Sequence, residues 1–151
     1  MKENIIHAFL PKKKETATPV LRETETLYGT QKTLVEKLRE GFPIQEFHAL
    51  QELLLMPEEE LGRNLGIAPA TLHRRKKSGR LETHESERIV RVARLFGLAM
   101  ETLGTEEAAR EWLKALNPGT AGESPLAYAD TEYGARKVEN LLGQLDHGVF
   151  S

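Results

Sequence analysis

Five basic side chains lie within seven positions of one another near the middle of the chain: Arg74, Arg75, Lys76, Lys77 and Arg80. A guanidinium group can donate two parallel hydrogen bonds to a guanine base, and both guanidinium and ammonium groups bind phosphate. The residues just before this group that are also suited to contacting base edges are Ala70, Thr71 and His73. This pattern predicts a surface that binds nucleic acid.

The basic residues belong to a stretch, residues 57–79, that is typical of a helix-turn-helix. Pro57 is expected to begin a first helix and Pro69 a second, which Gly79 ends. Gly62 lets the two helices approach closely, and Gly66 permits the positive φ of the turn between them. We therefore predict that the second helix is a recognition helix that enters the major groove of DNA.

Roles within the predicted recognition helix follow from side-chain geometry. Arg74 is predicted to bond a guanine, whereas Arg75, Lys76 and Arg80 are predicted to contact phosphates. Arg75 falls where many such helices bury an aliphatic residue, which leaves the register of the helix open. An ordinary helical hairpin with a basic, solvated end is the alternative interpretation.

Apolar residues at helical spacing predict that the rest of the chain is also helical. Further helices are expected at about 31–40, 44–55, 84–96, 106–116 and 131–148, with a short helical turn that Ser124 and Pro125 begin. Residues 1–30 are expected to form a flexible or loosely docked arm. No stretch has the alternation of a strand. The predicted fold is therefore all-α, with a Cro/Xre-like helix-turn-helix domain followed by a small helical domain.

Charge is distributed unevenly along the 151 residues. Residues 57–100 carry nine basic and six acidic side chains, whereas residues 101–151 carry four basic and nine acidic ones. The middle of the chain suits a polyanionic partner and the last third suits a basic one. Cysteine is absent, and no signal peptide or membrane span is evident, so we expect a cytoplasmic protein that does not bind membranes.

Residues for catalysis or metal binding do not form a known pattern. The five histidines lack the spacing of a zinc site, and the run Glu58, Glu59 and Glu60 is expected to begin a helix rather than to act as an acid or base. No glycine-rich phosphate loop follows a strand. The sequence therefore predicts that the chain is not an enzyme and needs neither a metal nor another cofactor.

From about Gly41 onward the chain resembles the Xre/MbcA/ParS antitoxin family, close to the Xre partner of RES-domain toxins. The resemblance covers residues 61–80, 85–96, 109–113 and 117–126, and it ends with DTEYGARKVENLLG at 130–143 and HGVFS at 147–151. The C-terminal block is its specific part, because a helix-turn-helix alone indicates only DNA binding.

The resemblance implies a DNA-binding domain at 31–100 and a toxin-neutralising domain at 101–151. Its partner would be a RES-type toxin that degrades NAD⁺, and the antitoxin would cover the mouth of the toxin's active site. The residues implied to contact the toxin are Arg136, Glu139, Asn140, Gly143, Val149, Phe150 and Ser151. Phe150 and a terminal carboxylate would offer an apolar plug and a negative charge to a cationic nucleotide pocket.

The family also implies an antitoxin that represses its own operon. A homodimer is expected because two recognition helices on one palindromic operator need a two-fold axis, and a hetero-oligomer with the toxin is expected as well. Two alternatives stay open: the chain is a stand-alone helix-turn-helix regulator, or its last helix packs only on its own domain.

Overall fold

The computed structural model describes residues 4–11 and 32–146, and within these ranges every regular element is helical. Its eight α-helices are α1 (Leu34–Glu40), α2 (Ile44–Leu54), α3 (Glu58–Asn64), α4 (Pro69–Ser78), α5 (Thr83–Leu103), α6 (Glu106–Lys114), α7 (Pro125–Tyr128) and α8 (Glu132–Asp146). Two short 3-10 helices, Ile5–Phe9 and Pro118–Thr120, complete the described part. The all-α prediction is confirmed.

Helix starts follow the polar caps that the sequence provides. Thr33 and Glu36 form a capping box at the start of α1, so this helix begins at Leu34 rather than at Gln31. The hydroxyl of Ser124 accepts from the backbone N–H of Ala127 at the start of α7, and the hydroxyl of Thr131 accepts from that of Gly134 at the start of α8. Each cap satisfies a backbone donor that the helix leaves unpaired.

Helix α5 is the centre of the fold and contacts α1, α2, α6, α8 and the N-terminal 3-10 helix. Its residues Ile89, Ala93 and Phe96 are fully buried. The helix continues to Leu103, beyond the end predicted at Phe96. Gly97 lies within this extension. Its lack of a side chain leaves room for the carbonyl of Phe9, since a Cβ atom there would lie 2.1 Å from the carbonyl oxygen.

Residues 4–11 correct the prediction of a flexible or loosely docked arm. Ile6 is fully buried in the core, and the backbone N–H groups of Ile5 and Ile6 donate to the carboxylate of Glu46 at 3.0 and 3.1 Å. Glu46 is itself buried, so these bonds compensate for its desolvation. The rest of the predicted arm, residues 1–3 and 12–30, lies outside the described residues.

The C-terminal end of α2 is held by two cations of α6. Arg110 Nε donates to the carbonyl of Leu53 at 2.9 Å, and Lys114 Nζ donates to the carbonyls of Leu54 and Leu55 at 3.1 Å. These carbonyls form the negative end of the helix dipole and have no partner inside the helix. Side chains from the last third of the chain thus cap the C-terminal end of a helix in the first half. The described residues pack around one core.

No helix within residues 4–11 and 32–146 is both long enough and apolar enough to cross a lipid bilayer.

Candidate functional site

Helices α3 and α4 form the predicted helix-turn-helix. A Cβ atom on Gly62 would lie 3.1 Å from the carbonyl oxygen of Ile67 in the turn and 3.8 Å from the Leu72 side chain of α4, so the turn and α4 pack closely against this glycine. Gly66 has φ +69° and forms the turn. Leu61, Leu65 and Leu72 are buried between the helices. The two glycines therefore have the backbone roles that the sequence predicts for them.

The outer face of α4 presents several of the predicted base-contacting residues. Ala70, His73, Arg74 and Lys77 are exposed, and Thr71 is partly exposed. The guanidinium of Arg74 makes one long bond, 3.3 Å, to the hydroxyl of Thr71. Within the described residues, Arg74 and Lys77 form no ion pair with an acidic group. Both cations are available to a phosphate or a base.

Arg75 departs from its predicted role as a phosphate contact. Its guanidinium donates to both carboxylate oxygens of Glu85 at 2.8 and 3.2 Å and lies 3.2 Å from an oxygen of Glu82. The Arg75 side chain is 16% exposed and that of Glu85 3%. Arg75 occupies the inward position expected for an aliphatic residue, and the carboxylate at the start of α5 compensates its charge there. This ion pair ties α4 to α5.

Lys76 and Arg80, the other two predicted phosphate contacts, also have partners inside the chain. Lys76 Nζ lies 2.9 Å from the carboxylate of Glu58 at the start of α3. Arg80 donates to the carbonyl of Gly41 at 2.7 Å, next to a backbone bridge between Arg80 and Pro43. Three of the five clustered cations thus have partners inside the chain. A contact of these cations with DNA would compete with those bonds.

Glu82, His84 and Glu85 bring possible metal-ligand atoms within 4.8 Å of one another. Both oxygens of Glu85 already accept hydrogen bonds from Arg75, and one of them also accepts from the backbone N–H of Glu82 at 2.8 Å. The geometry of this cluster is therefore that of an ion-pair network at the start of α5.

The Arg75–Glu85 pair makes stability depend on acid pH. Burial raises the pKa of the Glu85 carboxyl, but the hydrogen bonds from Arg75 and from the backbone of Glu82 lower it by more, so the pKa lies below its ordinary value. A carboxyl with a lowered pKa stabilises the fold above its unfolded-state pKa of about 4.3, and that contribution is lost as pH falls through the folded-state value.

We expect Glu85→Gln to reduce the free energy of unfolding by about 2 kcal/mol at pH 7, because it leaves Arg75 with only the exposed Glu82, 3.2 Å away, as a charge partner. The difference from the wild-type chain should shrink as pH falls below about 4. Urea unfolding at a series of pH values measures it, with the exposed Glu87→Gln on the same helix as the matched control. A constant difference from pH 7 to pH 3 would contradict this assignment.

Helix α8 packs one face on α5 and leaves another open. Ala135, Val138 and Leu142 are fully buried, whereas Arg136 and Asn140 are exposed. The inner face contributes to the core, and the outer face carries residues that the family resemblance assigns to toxin binding.

The remaining predicted toxin contacts have different surroundings. Glu139 is half-buried, and its carboxylate lies 3.4 Å from the guanidinium of Arg94 on α5. Gly143 has open space where a Cβ atom would lie. Val149, Phe150 and Ser151 lie outside the described residues.

A groove of about 540 Å³ separates the N-terminal 3-10 helix from α8, with α5 along its floor. The residues that line it are Ala8, Phe9, Arg94, Gly97, Leu98, Glu101, Glu132, Arg136 and Glu139. Two of the predicted toxin contacts, Arg136 and Glu139, thus share one concave surface.

Two family models match the chain over most of its length. Residues 33–94 match the antitoxin Xre-like helix-turn-helix domain, and residues 98–148 match the antitoxin Xre/MbcA/ParS C-terminal toxin-binding domain. The chain belongs to the Xre/MbcA/ParS antitoxin family. It is thus an antitoxin of a toxin-antitoxin system, with a helix-turn-helix domain.

Two relatives, both called antitoxin Xre, align with most of this antitoxin. The protein of Yersinia enterocolitica (serotype O:8 / biotype 1B) is 34% identical over 120 residues, which cover 78% of this chain and 81% of its own length. The protein of Photorhabdus laumondii subsp. laumondii is 28% identical over 148 residues, which cover 97% of this chain and 100% of its own length.

The antitoxin also uses residues that the sequence did not single out. Glu85 pairs with Arg75, and Arg94 contacts both Glu132 and Glu139 of α8. The spacing of Glu82 and Glu85 was a signal for the first of these, because acidic residues three apart mark the start of a helix. Nothing local to Arg94 indicates its partners, which are 38 and 45 residues away in sequence.

Proposed function

We propose that this antitoxin neutralises a RES-domain toxin that degrades NAD⁺, by covering the toxin's active site with the outer face of α8 and the residues that follow it. The observation that carries the proposal is the match of residues 98–148 to a toxin-binding domain whose last helix leaves Arg136 and Asn140 exposed. A helix anchored along one face presents the other in a fixed orientation, which lowers the entropic cost of binding. The proposed mechanism is occlusion, without catalysis by the antitoxin.

The second part of the proposal is repression of the antitoxin's own operon. Arg74 and Lys77 are exposed on α4 and have no ion-pair partner among the described residues, which suits contact with bases and phosphates in the major groove. A palindromic operator would bind two copies, so we propose a homodimer that also assembles with the toxin. Because both proposed targets, DNA and NAD⁺, occur inside the cell, we propose that the antitoxin acts in the cytoplasm.

The proposal assigns DNA binding to residues 31–100 and toxin binding to residues 101–151. The matched regions, 33–94 and 98–148, support this division. A stand-alone regulator, the alternative that the sequence left open, would account for the match to a helix-turn-helix domain but not for the match to a toxin-binding domain.

The test is co-expression with the product of the gene next to the antitoxin's own, which the proposal expects to be a RES-domain protein. We expect the two proteins to co-purify and the antitoxin to block the loss of NAD⁺ that the toxin causes in cells and with purified protein. The antitoxin alone should leave NAD⁺ unchanged. Absence of a stable complex, with DNA binding retained, would favour the stand-alone regulator.

A further inference from the structure

We propose that the N-terminal 3-10 helix, Ile5–Phe9, forms one rim of the surface that binds the toxin. The surface would then extend beyond residues 98–148, the region that matches a toxin-binding domain. This inference rests on the proposed function, because it takes the toxin as the occupant of the groove between the 3-10 helix and α8.

The groove brings together residues from three parts of the chain. Phe9 lines one side, Leu98 of α5 lies along the floor, and Arg136 and Glu139 of α8 line the opposite side. A partner that contacts Arg136 and Glu139 therefore reaches a concavity whose far wall is the 3-10 helix. The 3-10 helix gives the groove an apolar wall, and charged residues of α5 and α8 line the rest of it. Such a lining suits a protein surface with an apolar centre and a polar rim.

The 3-10 helix is held firmly enough to act as a preformed wall. Ile6 is fully buried, the buried Glu46 carboxylate accepts two of the helix's N–H groups, and Gly97 lets the carbonyl of Phe9 pack directly on α5. Phe9 itself stays partly exposed. Because these anchors fix the segment before a partner arrives, binding would order few additional groups.

The lining of the groove favours the toxin over DNA as its occupant. Five of its nine lining residues lie within 98–148, the matched toxin-binding region. Its carboxylates, from Glu101, Glu132 and Glu139, outnumber its guanidinium groups, from Arg94 and Arg136. This balance repels phosphates and suits a basic protein surface.

Phe9→Arg tests the wall directly. In a titration of the antitoxin against the purified RES-domain toxin, we expect its affinity to fall by about ten-fold or more, because a partly exposed aromatic becomes a long cation. Val35→Arg is the matched control, since Val35 is 53% exposed on α1 and lies outside the toxin-binding region. The control should change affinity by less than about two-fold. Circular dichroism and DNA binding should be unchanged in both variants.

Gly97→Ala displaces the wall without removing any side chain from it. Its Cβ atom would lie 2.1 Å from the Phe9 carbonyl oxygen, whereas alanine is favourable within a helix. We expect faster hydrogen exchange in residues 4–11 and about ten-fold weaker toxin binding.

Wild-type affinity in both Phe9→Arg and Gly97→Ala would overturn this inference and leave the proposed function standing. Failure of the unmodified antitoxin to bind the toxin would overturn the proposed function, and this inference with it.

Discussion

Removal of residues 148–151 is expected to abolish toxin neutralisation and to leave the antitoxin folded. The buried side chains of α8 that hold it on α5, Ala135, Val138 and Leu142, all precede the deletion, and α8 is described only to Asp146. The core formed by the described residues is therefore built from residues that the truncated chain keeps. Under the proposed function these residues, Phe150 above all, insert where the toxin binds its nucleotide.

The expected loss of affinity is at least about 100-fold, since aromatic anchors at the centre of an interface carry much of the binding energy. Protection of cells from NAD⁺ loss measures the effect, with thermal unfolding and DNA binding as checks that the truncated chain is intact. Val35→Ala, a small change at an exposed position of α1 outside the matched toxin-binding region, is the control and should change affinity by less than about two-fold. Full protection by the truncated antitoxin would contradict the assignment of the tail.

The double variant Arg74→Ala/Lys77→Ala is expected to weaken operator binding by about 100-fold, because loss of a base contact typically costs about 1–3 kcal/mol and loss of a phosphate contact adds to it. Both side chains are exposed on α4 and form no ion pair with an acidic group of the described residues. The slope of the logarithm of the binding constant against the logarithm of the salt concentration should become less steep by about one for each phosphate contact removed. Toxin binding should be unaffected.

Lys76→Ala is the control within the same helix. Lys76 already pairs with Glu58 at 2.9 Å, so its contribution to DNA binding competes with that bond, and we expect a change of about three-fold or less. Gel shifts at several salt concentrations measure both variants beside the wild-type antitoxin. Unchanged shifts for the double variant would contradict the recognition-helix assignment.

The helices could be predicted from the sequence because their signals are local. Pro69 and Gly79 bound α4, Ser124 and Thr131 cap α7 and α8, and these residues act within one turn of their own positions. The roles of the two helix-turn-helix glycines were also predictable from residue type. Gly62 in α3 allows a close approach, and Gly66 in the turn adopts a positive φ.

The features that could not be predicted depend on partners distant in sequence. The docking of Ile5–Phe9 depends on Glu46 and on the space beside Gly97, neither of which the short apolar run reveals. Arg75 lies in a basic cluster and has a side chain of the kind that binds phosphate. Only the arrangement of α4 on α5 shows that this side chain pairs with Glu85. Residue type alone does not indicate which of several arginines will be paired.

Helix α5 is continuous from Thr83 to Leu103, and this limits how the N-terminal part of one such antitoxin could be joined to the C-terminal part of another. The border between the two matched regions, residues 94–98, lies inside this helix and not in a linker. One inserted residue there would turn everything beyond it by about 100° and carry Gly97 away from the Phe9 carbonyl. Under the proposed division of functions, a hybrid of two such antitoxins must therefore join its parts in helical register across residues 94–98.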